Sequence, residues 1–195
     1  MERCYLVVGL GNPGREYAQT RHNAGYMAVE RLGQRWQAAW RRESRFRCRL
    51  AKVRREEQRI FLCQPETFMN ASGEAVAAAA GFYRLAVDQM LVVVDDADLP
   101  LGEVRMRARG SSGGHHGLES IEQQLGTRQF ARLRVGIGRS DPAQREITDY
   151  VLARFGPEEA ALVDKVLDRA ADQMECWVRH GAARAMNQFN GVIAT

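Results

Sequence analysis

The sequence predicts an α/β fold, a twisted mixed β-sheet surrounded by α-helices, with residues 1–195 forming one domain. Three observations predict it. Short apolar runs alternate with stretches of helical spacing along the chain, the order expected of helices packed on a central sheet. Two consecutive strand pairs lack a helix between them, so the sheet is mixed rather than purely parallel. The composition, 45% hydrophobic and 27% charged over 195 residues, is that of a globular chain able to bury a core without disulfides or metal.

The elements follow in order. Tyr5–Val8 is an apolar run ending in glycines and reads as a buried strand. Between Asn23 and Gln37, apolar residues at Tyr26, Met27, Val29 and Leu32 have helical spacing. Phe46–Val53 and Arg59–Cys63 read as strands joined by a charged turn, and Ala71–Tyr83 as an alanine-rich helix. Met90–Val94 is a second buried strand that ends in acidic residues, and Gly102–Ala108 alternates apolar with basic residues as a half-exposed strand does. Leu118–Leu125 is a short helix and Phe130–Ile137 a strand. Pro157 opens a long helix to about His180, with Glu158 and Glu159 at the positive end of its dipole. A last helix covers Ala182–Phe189, and residues 139–154 read as a mobile lid.

Composition also narrows the function. No apolar run approaches the roughly 18 residues needed to span a bilayer. The N-terminus lacks the basic, apolar, small-residue order of a secretory signal, so a cytoplasmic protein is expected. Cys4, Cys48, Cys63 and Cys176 are widely spaced and read as reduced packing residues. The net charge of +4 is uneven: residues 1–65 carry +8. Of the 28 basic residues, 26 are arginine, whose planar fork suits phosphate. An anionic partner such as nucleic acid fits this pattern, and so does a plain solvated face.

Several motifs carry possible chemistry. Gly9-Leu10-Gly11-Asn12-Pro13-Gly14 matches a dinucleotide fingerprint in letters. However, helical spacing begins only after His22, and Glu30, the acidic residue at about the right distance, falls inside the helix. The segment reads better as a tight turn at the carboxyl end of a strand, where open α/β sheets place ligands. Asn12 there offers an amide to the crevice. Gly110-Ser111-Ser112-Gly113-Gly114 matches a nucleophile elbow in letters, but its low-complexity glycine and serine composition makes an accidental match the better reading, and an elbow also needs a histidine downstream. The only histidine far enough downstream to serve, His180, sits at a helix end, where it simply complements the dipole. One histidine of the His115-His116 pair, with Glu119 four residues after His115, could offer two metal ligands, but adjacent histidines diverge and a third ligand is not evident; a glycine-rich loop beside a ligand, or a helix N-terminus with exposed amides, fits better. His22 follows the first strand, and Asp95, Asp96 and Asp98 follow the second. A carboxylate against an imidazole orients the ring and raises its basicity, so the pair can take a proton from water without metal. Both groups follow apolar strands and so can share one sheet edge. Asn70 stands at a helix entry, where it reads either as an N-cap or as an amide facing the crevice.

Five blocks occur in order: Gly9-Leu-Gly-Asn-Pro-Gly14, Thr20-Arg-His-Asn-Ala-Gly25, Pro65-Glu-Thr-Phe-Met-Asn70, Asp95-Asp-Ala-Asp-Leu-Pro100 and Arg132-Leu-Arg-Val-Gly-Ile-Gly138. Together, from about residue 5 to residue 190, they resemble the bacterial peptidyl-tRNA hydrolases. The resemblance implies hydrolysis of the ester between a peptide and the 3′-terminal ribose of tRNA, by a monomeric enzyme without metal or cofactor. It implies His22 as general base and Asp95 as its orienting partner. It places Asn12 and Asn70 at the substrate's carbonyl end, Phe68 and Met69 along the crevice and Tyr17 at its rim. Arg105, Arg107 and Arg134 match positions whose basic residues meet tRNA phosphate. Peptidyl-tRNA is the expected partner, with neither DNA nor membrane. One departure stands out: the family's usual Gly-Gly-His-Asn-Gly reads Gly113-Gly114-His115-His116-Gly117 here, so His116 replaces a substrate-binding asparagine and is expected to keep that role. The alternative is a relative that binds RNA but has lost catalysis, against which the retained His22, Asp95, Asn12 and Asn70 argue.

Overall fold

The computed structural model describes residues 3–139 and 146–193. One eight-stranded mixed sheet runs through it, in the order β2-β3-β4-β1-β5-β7-β6-β8. Its middle is parallel: β1 (Arg3–Gly9) lies between β4 (Gln58–Pro65) and β5 (Met90–Asp96), and β5 pairs with β7 (Ala131–Gly136). The flanks are antiparallel. β2 (Trp40–Glu43) and β3 (Cys48–Arg55) extend one side, and β6 (Glu103–Arg107) and the two-residue β8 (Gly191–Val192) the other. Strand β6 does not pair with β5, which precedes it in the chain. It sits outside β7, so the later strand is inserted between them.

Period-two alternation of buried residues makes two cores from one sheet. Val7, Leu91 and Val93 face α1 (Ala24–Arg35), α5 (Ala160–His180) and α6 (Ala182–Phe189). Leu6, Val8, Met90, Val92 and Val94 face α2 (Ser72–Tyr83) and α3 (His116–Leu125). Strands β1 and β5 are buried on both faces, which is why their sequences read as continuous apolar runs. Outside the first core, Arg31 and Arg35 of α1 grip Asp164, Asp168 and Asp172 of α5 at 2.5–2.8 Å. The one-turn spacing of both sets lets the two helices run side by side.

Differences from the expected elements have local causes. Phe46 lies not in β3 but in a 3-10 turn, Ser44–Phe46, after which Arg47 adopts a left-handed backbone. The buried Phe46 ring packs beside Phe82 and Tyr83 of α2 there. Strand β2 escaped the pattern because Trp-Arg-Arg-Glu is a short edge strand with little apolar content. Within the expected lid, residues 147–152 form α4 (Ile147–Leu152), while 140–145 lie outside the described residues. The long helix begins as a 3-10 turn, Pro157–Glu159, before α5. No helix among the described residues is long and apolar enough to cross a membrane.

The feature that positions the site is a close crossing of two glycines. A Cβ on Gly9 would overlap the carbonyl of Gly25, and one on Gly25 would overlap the Val93 carbonyl and crowd Leu10 N at 2.7 Å. Bare backbone at both positions lets the start of α1 rest directly on the ends of β1 and β5. The glycines after β1 thus serve helix-on-sheet contact. Gly25→Ala is expected to cost about 1–3 kcal/mol through overpacking, read as a lower urea midpoint at unchanged slope. An unchanged midpoint would mean that the contact is slack.

Candidate active site

Three segments meet at the carboxyl ends of β1 and β5. The 3-10 turn Arg21–Asn23 carries His22 and is held against the sheet by the glycine crossing below it. Asp95 is the penultimate residue of β5. His115 is the N-cap of α3. His22 Nδ1 stands 2.9 Å from Asp95 Oδ1, and His115 Nε2 stands 3.0 Å from the same oxygen. The carboxylate is 3% exposed, with His115 and His22 at 8% and 13%.

The network sets the tautomers. His115 Nδ1 accepts the backbone N–H of Leu118 at 3.4 Å, so its proton sits on Nε2 and is donated to Asp95. An ionised carboxylate only accepts, so His22 donates from Nδ1. The lone pair of His22 is then left on Nε2. Burial alone would push the Asp95 carboxyl up. The hydrogen bonds from His115 and His22 outweigh it and hold the group well below the usual carboxylate range. Asp95 is therefore a fixed negative charge behind His22.

A cavity of about 480 Å³ opens over this group, and its lining includes Asn12, His22, Asp95 and His115. Ile147, Val151 and Leu152 of α4 give it an apolar wall. That wall is tied to the turn bearing His22. Arg21 N donates to Ala153 O at 2.9 Å, the Arg21 guanidinium lies 4.7 Å over the Tyr150 ring, and Tyr150 Oη donates to Ile137 O at 2.9 Å.

Asn12 is 8% exposed and held from three sides. Its backbone N donates to Asn23 Oδ1 at 2.9 Å, Asn23 Nδ2 donates to its carbonyl at 3.0 Å, and Met69 N donates to its side-chain Oδ1 at 2.9 Å. The amide orientation follows: Oδ1 is taken, and Nδ2 remains as a donor at the cavity. Met69 is buried and acts on the site chiefly through that backbone bond.

Other sequence-predicted residues lie elsewhere around the site. Phe68 and Asn70 flank Met69 on the outside, and Phe68 is 61% exposed. Asn70 caps no helix, since the cap of α2 is Ala71. Tyr17 is half-buried, and its carbonyl receives the Thr20 hydroxyl at 2.9 Å in the turn before His22. Arg105 and Arg107 are on β6, where Arg105 pairs with Glu103 at 2.8 Å and Arg107 is exposed. Arg134, opposite Arg105, braces the glycine-rich loop: it bonds Ser111 O, Ser112 O and the Asp96 carboxylate at 2.9–3.1 Å.

The adjacent histidines do diverge. His115 points inward, while His116 has a side chain 76% exposed, lying 3.3 Å from Glu119 at the cavity mouth. An exposed imidazole can be exchanged for an amide without repacking, so His116→Asn is expected to keep the steady-state hydrolysis rate within about threefold. A large loss would assign the imidazole a task of its own. Ser112 is held by Gly114 N and Glu119 rather than by a histidine, so no nucleophile elbow forms.

Two contributors were missed by the sequence reading. From sequence, His115 reads as a metal ligand, as part of a glycine-rich loop or as the start of a helix with exposed amides, and none of these gives its side chain a place beside Asp95. Its position just before a helical run was the available signal, because an N-cap side chain is oriented by its own helix. Asn23, 1% exposed, looked like an ordinary helix entry and instead clamps the backbone of Asn12.

A buried carboxylate behind an imidazole, a free imidazole lone pair and an amide donor, all at one cavity, define a hydrolytic enzyme that works on a carbonyl centre. The comparisons agree with this class. The family model for peptidyl-tRNA hydrolase matches residues 6–195. A peptidyl-tRNA hydrolase of Gloeobacter violaceus is 46% identical over 185 residues, covering 95% of this chain and 93% of that one. One from Geobacillus kaustophilus is also 46% identical over 185 residues, covering 95% and 98%. The crystal structure of the Acinetobacter baumannii peptidyl-tRNA hydrolase superposes with a TM-score of 0.91 at 35% identity, covering 98% of this chain and 97% of that one. This chain belongs to the peptidyl-tRNA hydrolase family.

Proposed function

We propose that this chain hydrolyses the ester between the peptide and the 3′-terminal ribose of peptidyl-tRNA, with His22 as the general base. The observation that carries the reading is the shared contact of His22 and His115 on Asp95 Oδ1, which leaves His22 Nε2 unprotonated toward the cavity. Water placed at that nitrogen gives up a proton to it as its oxygen attacks the ester carbonyl. The imidazolium so formed is stabilised by the Asp95 charge. Asn12 Nδ2 is the donor for the developing oxyanion. When the tetrahedral adduct collapses, the proton passes from His22 to the ribose oxygen, giving free tRNA and a peptide acid, which releases water's second proton to solvent and leaves as the carboxylate.

The apolar α4 wall suits the peptide side of the substrate; Asn70, exposed beside Met69, is assigned with Asn12 to its carbonyl end, and exposed Phe68 to contact with the bound substrate outside the cavity lining. Arg105 and Arg107 on β6 are the groups for tRNA phosphate, with Arg134 serving first to hold the loop between them and the site. Phosphate contacts position a substrate without reading its sequence, as an enzyme accepting many tRNAs needs. The enzyme acts as a monomer in the cytoplasm. The test is release of N-acetyl-aminoacyl product from a blocked tRNA by the tag-free chain. Binding of the tRNA without release would favour the catalytically inactive RNA-binding relative instead.

Electrostatic binding has a second signature. The affinity for tRNA is expected to fall with added salt, with a logarithmic slope of about −0.7 to −0.9 for each phosphate neutralised. Replacing Arg107 by Ala should flatten that slope by about one such step. A salt-independent affinity would overturn the phosphate reading.

A further inference from the structure

We propose that His22, Asp95 and His115 also form a binding site for a borderline transition-metal ion, Zn²⁺ in particular, and that its occupancy switches hydrolysis off. The three side chains bring two nitrogens and one carboxylate oxygen within 4.8 Å of one another. Two of the separations are already short, 2.9 Å and 3.0 Å to Asp95 Oδ1. Zinc takes imidazole nitrogen and carboxylate oxygen at about 2.0–2.2 Å in tetrahedral geometry, which puts donor atoms roughly 3.3–3.5 Å apart. The two contacts to Asp95 therefore have to open by a few tenths of an ångström, while the two imidazole nitrogens, within 4.8 Å of each other, have to draw together by up to about 1.3 Å through small ring rotations. All three side chains line the cavity, from which water can supply a fourth ligand. Two imidazoles and one carboxylate select zinc, cobalt or nickel over magnesium and calcium, which take oxygen ligands.

The chemistry of switching follows from the tautomers. His22 and His115 now present N–H groups to Asp95. A metal at that point needs their lone pairs instead. Each neutral imidazole keeps its one proton, which moves to the other nitrogen: to Nε2 on His22 and to Nδ1 on His115. His22 Nε2 becomes a donor and can no longer accept a proton from water. His115 Nδ1 loses its bond from Leu118 N. The inhibitory half of this inference rests on the role proposed for His22; the binding half does not.

The experiment uses the tag-free chain freed of metal by chelator. Zn²⁺ is titrated by calorimetry and Co²⁺ by visible absorption, and ¹⁵N-histidine spectra are recorded before and after zinc. One ion per chain is expected. The cobalt spectrum should lack thiolate charge-transfer bands, and the unprotonated nitrogen of His22 should move from Nε2 to metal-bound Nδ1. His115→Gln, with its fold checked by circular dichroism, should bind zinc at least tenfold more weakly. His22→Asn supplies a second ligand deletion should the first variant fail to fold. Release of blocked aminoacyl product should fall in proportion to zinc bound, return with EDTA and be unaffected by equal Mg²⁺. Absence of stoichiometric binding, equal binding by the ligand-deletion variants or thiolate bands would overturn the site. Binding with hydrolysis unchanged would overturn the switch while leaving the hydrolase reading intact, and a chain inactive without any metal would count against that reading alone.

Discussion

His22→Ala is expected to lower the rate of blocked-tRNA hydrolysis by about 10²–10⁴-fold, the usual contribution of a positioned general base. The loss should fall on kcat more than on KM, because the Nε2 lone pair acts on water and not on the bound tRNA. Folding should survive, since among the described residues the ring hydrogen-bonds to Asp95 alone and His115 still occupies that oxygen. A variant that keeps the wild-type rate would remove His22 from the mechanism. The remaining activity should come from Asn12 and from substrate positioning, which the mutation leaves in place.

The second large effect is at Asp95, where two variants separate charge from geometry. Both imidazoles bond the same carboxylate oxygen. An asparagine can offer its carbonyl oxygen at that point and keep both histidines in their present tautomers. Asp95→Asn then removes only the negative charge facing the imidazolium. A charged hydrogen bond of this kind is worth about 1.5–3 kcal/mol, so a fall of roughly 10–150-fold is expected. Asp95→Ala removes the acceptor as well and frees both rings, so its loss should approach that of His22→Ala. Equal losses for the two variants would show that the carboxylate acts through its charge alone, and a wild-type rate for Asp95→Asn that it acts through position alone. Hydrolysis by the alanine variant as fast as by the asparagine one, at wild-type level, would sink the arrangement altogether.

Much of this was readable from residues alone because the signals are local. The buried strands β1 and β5 announced themselves as apolar runs, and the glycines and acids that end them marked the edge where ligands sit. The pairing of His22 with Asp95 was reachable because each follows one of those strands. His115 was not, because its neighbour has the same side chain and only the direction of α3 says which of the two turns inward. The brace made by Arg134 was equally hidden: the family resemblance implies a phosphate contact there, and only the fold shows the loop carbonyls it also bonds.

The sequence by itself determined the α/β class and the family, and it singled out the two groups proposed to do the chemistry, since periodicity and short motifs are properties of neighbouring positions. Only the tertiary structure decided which oxygen of Asp95 is used, that a second imidazole shares it, and which nitrogen of His22 is left free. Those depend on contacts between segments far apart in the chain, where a few tenths of an ångström set whether a proton is donated or accepted. Such distances follow from how Gly9 and Gly25 let helix and sheet approach.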